Sequence, residues 1–156
     1  MGKRWAMVAA VAVLLGACAE DRGSRTINDE GWVDAANAAC KDALPSLRAE
    51  RRESDMFGRT DKADRAKTAD RIEDVADGLD ELAADLGALE LAPADQGEVA
   101  AWLEEWANYT GIGRQYAAAV RTEPADVYSS IASEGNESVQ RIARFARANR
   151  IDQCVL

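Results

Sequence analysis

The stretch from Ile72 to Leu89 limits the fold of this chain more than any other part of the sequence. Six apolar residues recur there at intervals of 3, 4, 3, 4 and 3: Ile72, Val75, Leu79, Leu82, Leu86 and Leu89. This spacing places them on one face of an α-helix. Because the pattern covers fewer than three heptads, it predicts a helix of a bundle rather than an extended coiled coil.

Three further segments show helical periodicity, and no segment shows the alternation of a strand. The first helix is expected to begin with Asn28 as its cap and to present one apolar face, formed by Trp32, Ala36, Cys40, Leu44 and Leu47. Pro45 interrupts this segment, and forcing a helix through a proline costs about 3 kcal/mol. We therefore expect a kink or a restart near Pro45, followed by a loop around Gly58.

The third and fourth helices complete the predicted fold. The third is expected to begin near Pro93 or Ala94, with one face formed by Val99, Trp102, Leu103, Trp106, Tyr109, Gly113, Tyr116, Ala117 and Val120. The fourth is expected to have Thr122 as its cap, to end at Asn149, and to bury Val127 or Tyr128, Ile131, Gly135, Val139, Ile142 and Ala146. Short connections favour antiparallel neighbours. The fold class predicted for residues 28–156 is thus all-α, an antiparallel up-down-up-down four-helix bundle.

Residues 1–17 have the features of an export signal. Lys3 and Arg4 are followed by an uncharged run from Trp5 to Leu15, as in secretory signal peptides. A membrane-spanning helix needs roughly 20 apolar residues, so this run is too short to be one.

The end of this signal carries a specific motif. Leu15-Gly16-Ala17-Cys18 resembles the lipobox of bacterial lipoproteins, with a leucine three places before the cysteine and two small residues between them. The resemblance implies cleavage before Cys18 and attachment of a diacylglyceryl group to its sulfur. An ordinary signal peptide with a chance cysteine is the alternative. Two acyl chains matter because a single chain gives only marginal membrane binding.

The polar segment after Cys18 has no periodicity. We interpret residues 18–27 as the lipid attachment point and a flexible tether. Such a coil spans about 15 to 18 Å, which would hold the domain close to the bilayer. The expected location is therefore the extracytoplasmic face of the cell membrane, with the bilayer as a partner through acylated Cys18.

The other two of the three cysteines form an even pair if Cys18 carries lipid. Exported proteins are exposed to an oxidising environment in which disulfides persist. We expect Cys40 and Cys154 to form one disulfide, joining the first helix to the C-terminal segment. Two free thiols are the alternative, and a zinc site would lack ligands because the chain has no histidine.

The arrangement of residues 28–156 is similar to small helical lipoproteins of actinobacteria. The shared features are a cysteine in the first helix, proline and tryptophan in the third, and a cysteine near the C-terminus. The resemblance implies no activity.

The charge of the chain excludes one class of partner. Removing residues 1–17 removes two of the 19 cationic residues and none of the 28 acidic ones, which leaves a formal charge of −11. Affinity for nucleic acid depends on cationic contacts to phosphates, so we expect no nucleic-acid partner.

Catalytic motifs are missing from the sequence. It contains no histidine, no glycine-rich phosphate loop and no nucleophile elbow. We expect no enzymatic activity and no cofactor. The acidic residues of the second helix raise a calcium hypothesis, but a solvated helix face accounts for them equally and no calcium-binding loop is present.

Two functions fit these features. The first is a non-catalytic interaction module that holds an envelope protein on a helix face. The alternative is a small-ligand binder with a pocket beside the aromatic residues of helix three, formed by Trp102, Trp106, Tyr109 and Tyr116. Gly111 and Gly113 bear on the choice, since each costs roughly 1 kcal/mol relative to alanine within a helix. Either close helix packing or room for a ligand would account for them.

Overall fold

A computed structural model describes residues 27–56, 62–122 and 129–156. Within them are four α-helices and one short 3-10 turn: α1 (Glu30–Met56), α2 (Lys62–Ala88), α3 (Gln96–Thr122), α4 (Ser129–Ala148) and the C-terminal turn Asp152–Cys154. α2 packs against α1 and α3, and α3 packs against α4. The predicted all-α four-helix bundle is confirmed. The export signal, residues 18–26 of the predicted tether, Gly58, Val127 and Tyr128 lie outside the described residues. Ile27, predicted as the last residue of the tether, instead belongs to the folded domain, where it is 1% exposed.

The two ends of the bundle hold different parts of the chain. The entry end is where the described chain begins at Ile27, and it also holds the end of α4. The far end holds the end of α1, the start of α2, the end of α3 and the start of α4.

The beginning of α1 differs from the prediction by one residue. Asp29, rather than Asn28, is the cap, because its Oδ1 atom accepts the backbone N–H of Trp32 at 3.0 Å. The expectation of a restart at Pro45 is wrong, since α1 continues through it to Met56. Proline leaves the carbonyl of Lys41 without its helical partner, and Lys41 is exposed, so water can take that place.

The seam predicted on α2 forms much of the core. Leu79, Leu82 and Leu86 are buried, and Val75 and Leu89 pack half-buried against the same cluster. Ile72 packs half-buried against a second cluster, formed by Ala69, Ala117, Ala119 and Val120. Gly78 allows α1 to come close, because a Cβ atom there would lie 2.5 Å from a methyl carbon of Leu47. Leu47 of α1 therefore occupies the space that the missing side chain at residue 78 leaves on α2.

A cluster of aromatic rings fills the core at the entry end. Trp102 makes edge contacts with Trp32 and Trp106, with ring centroids 6.2 and 5.5 Å apart, and it stacks on Phe145 at 5.1 Å. Its indole N–H donates to the carbonyl oxygen of Ile142 at 3.2 Å. Trp106 is fully buried. Helices α1, α3 and α4 are thus held together by one aromatic cluster.

The boundaries of α3 and α4 also differ from the prediction. α3 begins at Gln96 rather than near Pro93, because residues 93–95 form a turn. Thr122 is the last residue of α3, where its hydroxyl donates to the carbonyl of Ala118 at 3.1 Å, and it does not cap α4. On α4, Ile142 and Ala146 are buried as predicted, and so is Ser138.

Helix α4 ends in a Schellman motif. The N–H of Ile151 donates to the carbonyl of Ala146 at 2.8 Å, and that of Arg150 donates to Arg147 at 3.3 Å. Arg150 has a φ of 59°, the left-handed conformation that this motif requires. The reversal directs residues 151–156 back toward α1.

The C-terminal segment is fastened to α1 by a disulfide and by hydrogen bonds. Cys40 and Cys154 are bonded, with Cα atoms 5.0 Å apart, which confirms the predicted crosslink. Asn37 donates to the carbonyl of Arg150 at 2.9 Å and accepts the N–H of Gln153 at 3.0 Å. The 3-10 turn consequently lies between α1 and α4 at the entry end.

Buried polar side chains hold the first residues of the domain. Asn149 accepts the N–H of Ile27 at 2.6 Å. Asp95 accepts the N–H groups of Asn28 and Asp29, both at 3.0 Å, while Asp29 accepts the N–H of Ala92 at 2.8 Å. Asp29 and Asp95 therefore bind each other's backbone segment, and this reciprocal pair joins the start of α1 to the connection between α2 and α3.

The carboxylate of Asp29 predicts an acid dependence of stability. The N–H groups of Trp32 and then Ala92 lower the pKa of this carboxyl. A carboxyl with a lower pKa in the folded protein stabilises the fold above its unfolded pKa, and this contribution is lost as the pH falls through the folded value. We expect the stability difference between the natural protein and Asp29→Asn to shrink as the pH falls from about 6 to about 3. Urea unfolding at several pH values measures it.

The matched control is Asp34→Asn, an exposed acidic residue one turn later in α1. Its stability difference from the natural protein should change less over the same pH range. A difference for Asp29→Asn that stays constant with pH would contradict the assignment.

Candidate functional site

An open groove lies between the helices in the far half of the bundle. Its volume is about 200 Å³. All four helices contribute to it, with lining residues Arg51, Thr68, Ile72, Val75, Ala76, Leu79, Tyr109, Thr110, Ile112, Gly113, Tyr116, Ile131, Ala132, Gly135 and Asn136. We call this site the groove.

The groove exists because α1 and α4 are separated along this side of the bundle. Among the described residues these two helices make no close backbone contact with each other. At the entry end the C-terminal segment lies between them, bonded through Cys154 to Cys40. Farther along, the space is open, and Leu156 lies beside a small extension of the groove with a volume of about 20 Å³. Within the described ranges, the C-terminal segment thus lies between α1 and α4 at the entry end, and the groove lies between the helices farther along.

The walls of the groove are mainly apolar. Its polar lining residues are Arg51, Thr68, Thr110 and Asn136, besides the two tyrosines. The hydroxyl of Thr110 is already engaged, since it donates to Asp80 at 2.6 Å. The hydroxyl of Thr68 is buried and has no hydrogen-bond partner among the described residues. Buried polar groups are nearly always satisfied, so Thr68 stands out in this wall.

Two glycines widen the groove. A Cβ atom at Gly113 would meet only the Cβ of Ala76, at 3.9 Å, and one at Gly135 would meet Ile112 at 3.5 Å and Tyr109 at 3.9 Å. These are ordinary van der Waals distances, so helix packing does not require glycine at either position. A Cβ at Gly111, which is not a lining residue, would meet nothing within 4 Å. Of the two accounts considered for Gly113, room for a ligand fits the structure better than close helix packing.

Of the four residues predicted to line a pocket, two line the groove and two are buried in the core. Tyr109 and Tyr116 line the groove. Trp102 and Trp106 do not line it, because both are buried in the aromatic cluster, with exposed fractions of 2% and 0%. Residues three or four positions apart share a helix face, but the depth of each in the bundle is set by the neighbouring helices.

Sequence reasoning missed the contributions of α2 and α4 to the groove. The seam predicts only that Ile72, Val75 and Leu79 share the apolar face of a bundle helix, and Ile131 and Gly135 are predicted on the buried face of the fourth helix. Their periodicity was correctly identified, but periodicity does not distinguish a core from an open groove. The available signal was the presence of Gly113 and Gly135 on apolar helix faces.

The acidic face of α2 is paired with arginines of α3. Arg114 lies 2.6 Å from Asp77 and 2.7 Å from Asp80, and these two hydrogen bonds raise the pKa of its guanidinium. Arg121 binds Glu73 at 2.5 Å, and this hydrogen bond lowers the pKa of the Glu73 carboxyl. These acidic residues therefore contact α3 while they stay partly exposed, with 72% of the Asp77 side chain accessible, so the solvated face expected on α2 also carries ion pairs. No group of three or more candidate metal ligands lies within the described ranges.

Two arginines, one in the second half of α4 and one just after its end, form ion pairs. Arg141 binds the carboxylate of Glu105 at 2.9 Å, and Arg150 lies 3.6 Å from Glu30. Both pairs are partly exposed, and such pairs contribute little stability.

The residues expected to attach the protein to the membrane lie outside the described part of the chain. Cys18, the expected lipid attachment point, precedes the described residues. None of the helices described is both long enough and apolar enough to span a bilayer.

Comparison of the chain with protein-family models, curated proteins and solved structures finds no match.

Proposed function

We propose that this protein is a lipid-anchored, extracytoplasmic binding module without catalytic activity, and that the groove is its binding site. The groove carries the proposal, because it is a preformed, mainly apolar concavity of the kind in which proteins bind ligands. Its width is also not accounted for by helix packing at Gly113 and Gly135.

The chemistry of the groove supports binding rather than catalysis. Catalytic acids and bases have to lie within hydrogen-bond reach of the reacting group. The lining residues include no carboxylate, histidine, cysteine or lysine within the described chain. The carboxylate of Asp80 accepts a hydrogen bond from the lining residue Thr110, and it also binds Arg114.

The lipid anchor is supported by the sequence Leu15-Gly16-Ala17-Cys18 and by the disulfide. Disulfides persist in oxidising compartments outside the cytosol, so the bond between Cys40 and Cys154 agrees with export. The entry end would then face the tether, and Gly113, 17 residues along α3 from Gln96, would lie roughly 25 Å farther from it.

Metabolic labelling tests the anchor. Cells that produce the natural protein and are fed an alkyne-bearing palmitate analogue should yield a labelled protein in the membrane fraction. Cys18→Ser should carry no label and should be released or left uncleaved, because its sulfur is the attachment atom. The control is the double variant Cys40→Ser with Cys154→Ser, which should keep the label. Label on Cys18→Ser would overturn the anchor.

A further inference from the structure

From the size and walls of the groove we infer the class of its ligand: an uncharged, mainly apolar molecule about the size of one six-membered ring, with one hydrogen-bonding group that pairs with Thr68. This inference rests on the proposed binding function and specifies it.

The volume sets the size of the ligand. A cavity of about 150 Å³ lined by apolar side chains is large enough to bind benzene. The groove, at about 200 Å³, takes one ring with a small substituent. Toward the entry end it has little further room, since the extension beside Leu156 measures about 20 Å³. A helix of a partner protein would need a longer open face to bury its apolar stripe.

The walls set the polarity of the ligand. Ile72, Ile112 and Ile131 come from three different helices and provide apolar contact, with Tyr109 and Tyr116 beside them. Apolar surface removed from water contributes about 25 cal/mol per Å². Arg51 is the one cationic lining residue among those described, and the chain as a whole has a formal charge of −9. An uncharged ligand is therefore favoured over an anion.

The hydroxyl of Thr68 is the reason to expect one hydrogen-bonding group on the ligand. It belongs to a wall residue that is 2% exposed, and it has no partner in the described structure. A threonine hydroxyl can both donate and accept a hydrogen bond, and its hydrogen rotates to suit the partner. Because this oxygen is enclosed by protein atoms, rotation about the Cα–Cβ bond of Thr68 has to turn it toward the groove, where a hydroxyl on the ligand would then satisfy it. A purely apolar ring would leave it unsatisfied.

Binding of two model compounds tests the inference. 4-Fluorophenol and 4-fluorotoluene have similar size and shape, but only the first carries a hydroxyl. Fluorine NMR titrations would use the full chain, with the same buffer and additives for every variant. We expect saturable binding of both compounds, with 4-fluorophenol binding about fivefold more tightly, as one additional hydrogen bond would give.

Matched glycine substitutions locate the site. Gly113→Leu fills the groove and should weaken the binding of both compounds by at least about tenfold. Gly111→Leu makes the same change two residues earlier in α3, where a Cβ meets nothing within 4 Å, and should bind as before. Gly113→Ala, whose Cβ makes only an ordinary contact with Ala76, is the intermediate case if Gly113→Leu does not fold. Equal binding by the Gly113 and Gly111 variants would overturn the groove as the site.

Thr68→Val separates the polar part of the inference from the apolar part. Valine keeps the shape of threonine and removes the hydroxyl, so binding of 4-fluorophenol should weaken about fivefold. Binding of 4-fluorotoluene should stay within about twofold. Parallel changes for both compounds would overturn the role of Thr68.

Failure here is distinguishable from failure of the proposed function. If the chain binds neither compound while Cys18 carries the lipid label, the ligand class is wrong and the anchor stands. If it binds both in the groove while Cys18 carries no label, the binding site stands and the anchor is wrong.

Discussion

Replacing both Cys40 and Cys154 by alanine is expected to lower the free energy of unfolding by roughly 4 to 5 kcal/mol. The bond joins residues 114 positions apart, so it closes a long loop and removes much conformational freedom from the unfolded chain. Both cysteines are fully buried. Their loss would also loosen the C-terminal segment that lies between α1 and α4. Urea unfolding of the natural and the double-alanine proteins measures the effect.

Adding a reductant to the natural protein under unfolding conditions provides an independent comparison, since it opens the same bond without changing any side chain. Its stability should approach that of the double variant. Cys18→Ser, whose cysteine is outside the crosslink, should unfold at the natural urea concentration. A loss below about 1 kcal/mol would contradict this account of the disulfide.

Trp106→Ala is expected to cost about 3 to 5 kcal/mol of stability, the usual range for removing a buried aromatic side chain. Trp106 is 0% exposed and its ring lies 5.5 Å from that of Trp102. The variant would leave a cavity in the aromatic cluster, because the surrounding helices can relax only in part. Urea unfolding followed by circular dichroism measures it.

Trp106→Phe is the conservative comparison. It keeps an aromatic ring and removes an indole N–H that is buried without a partner among the described residues, so it should cost much less than alanine. Neither substitution should change the position of the ligand site if the groove is as described. A small loss for Trp106→Ala with a large loss of ligand binding would instead favour the predicted pocket that includes this tryptophan.

The sequence predicted the fold class because each helix carries its own periodic pattern. The six-residue seam on α2 and the faces of α1, α3 and α4 follow from the 3.6-residue repeat alone. The cysteine pair was predicted by a different argument, from an odd cysteine count and an export signal. Both kinds of inference use local or compositional information, which a single sequence contains.

Helix boundaries were less predictable, because they depend on hydrogen bonds from distant residues. Asp95 binds the N–H groups of Asn28 and Asp29 from another part of the chain, and the pattern around Asp95 does not indicate this. Asn149 was read as a helix end, whereas its side chain also binds Ile27, 122 residues away. At Pro45 a local rule predicted a restart, and the tertiary packing of Leu44 and Leu47 overrode it.

The groove was predictable only in part. Tyr109, Gly113 and Tyr116 line the groove, and of these the glycine is the clearest signal in the sequence because glycine within a helix is unfavourable. The separation of α1 from α4 that opens the groove could not be predicted, since it follows from where the C-terminal segment packs. Trp102 and Trp106 lie on the same helix as Tyr109, and only their depth in the bundle excludes them from the site.

The disulfide has a mechanical consequence when force acts on the two ends of the domain. If tension acts between Ile27 and Leu156, the covalent path runs from Ile27 to Cys40, across the sulfur–sulfur bond, and from Cys154 to Leu156. All the described residues that line the groove lie between 51 and 136, inside the loop that this bond closes. Force between the two ends therefore bypasses the backbone around the groove, and stretching the chain would leave the binding walls in place until the disulfide is reduced.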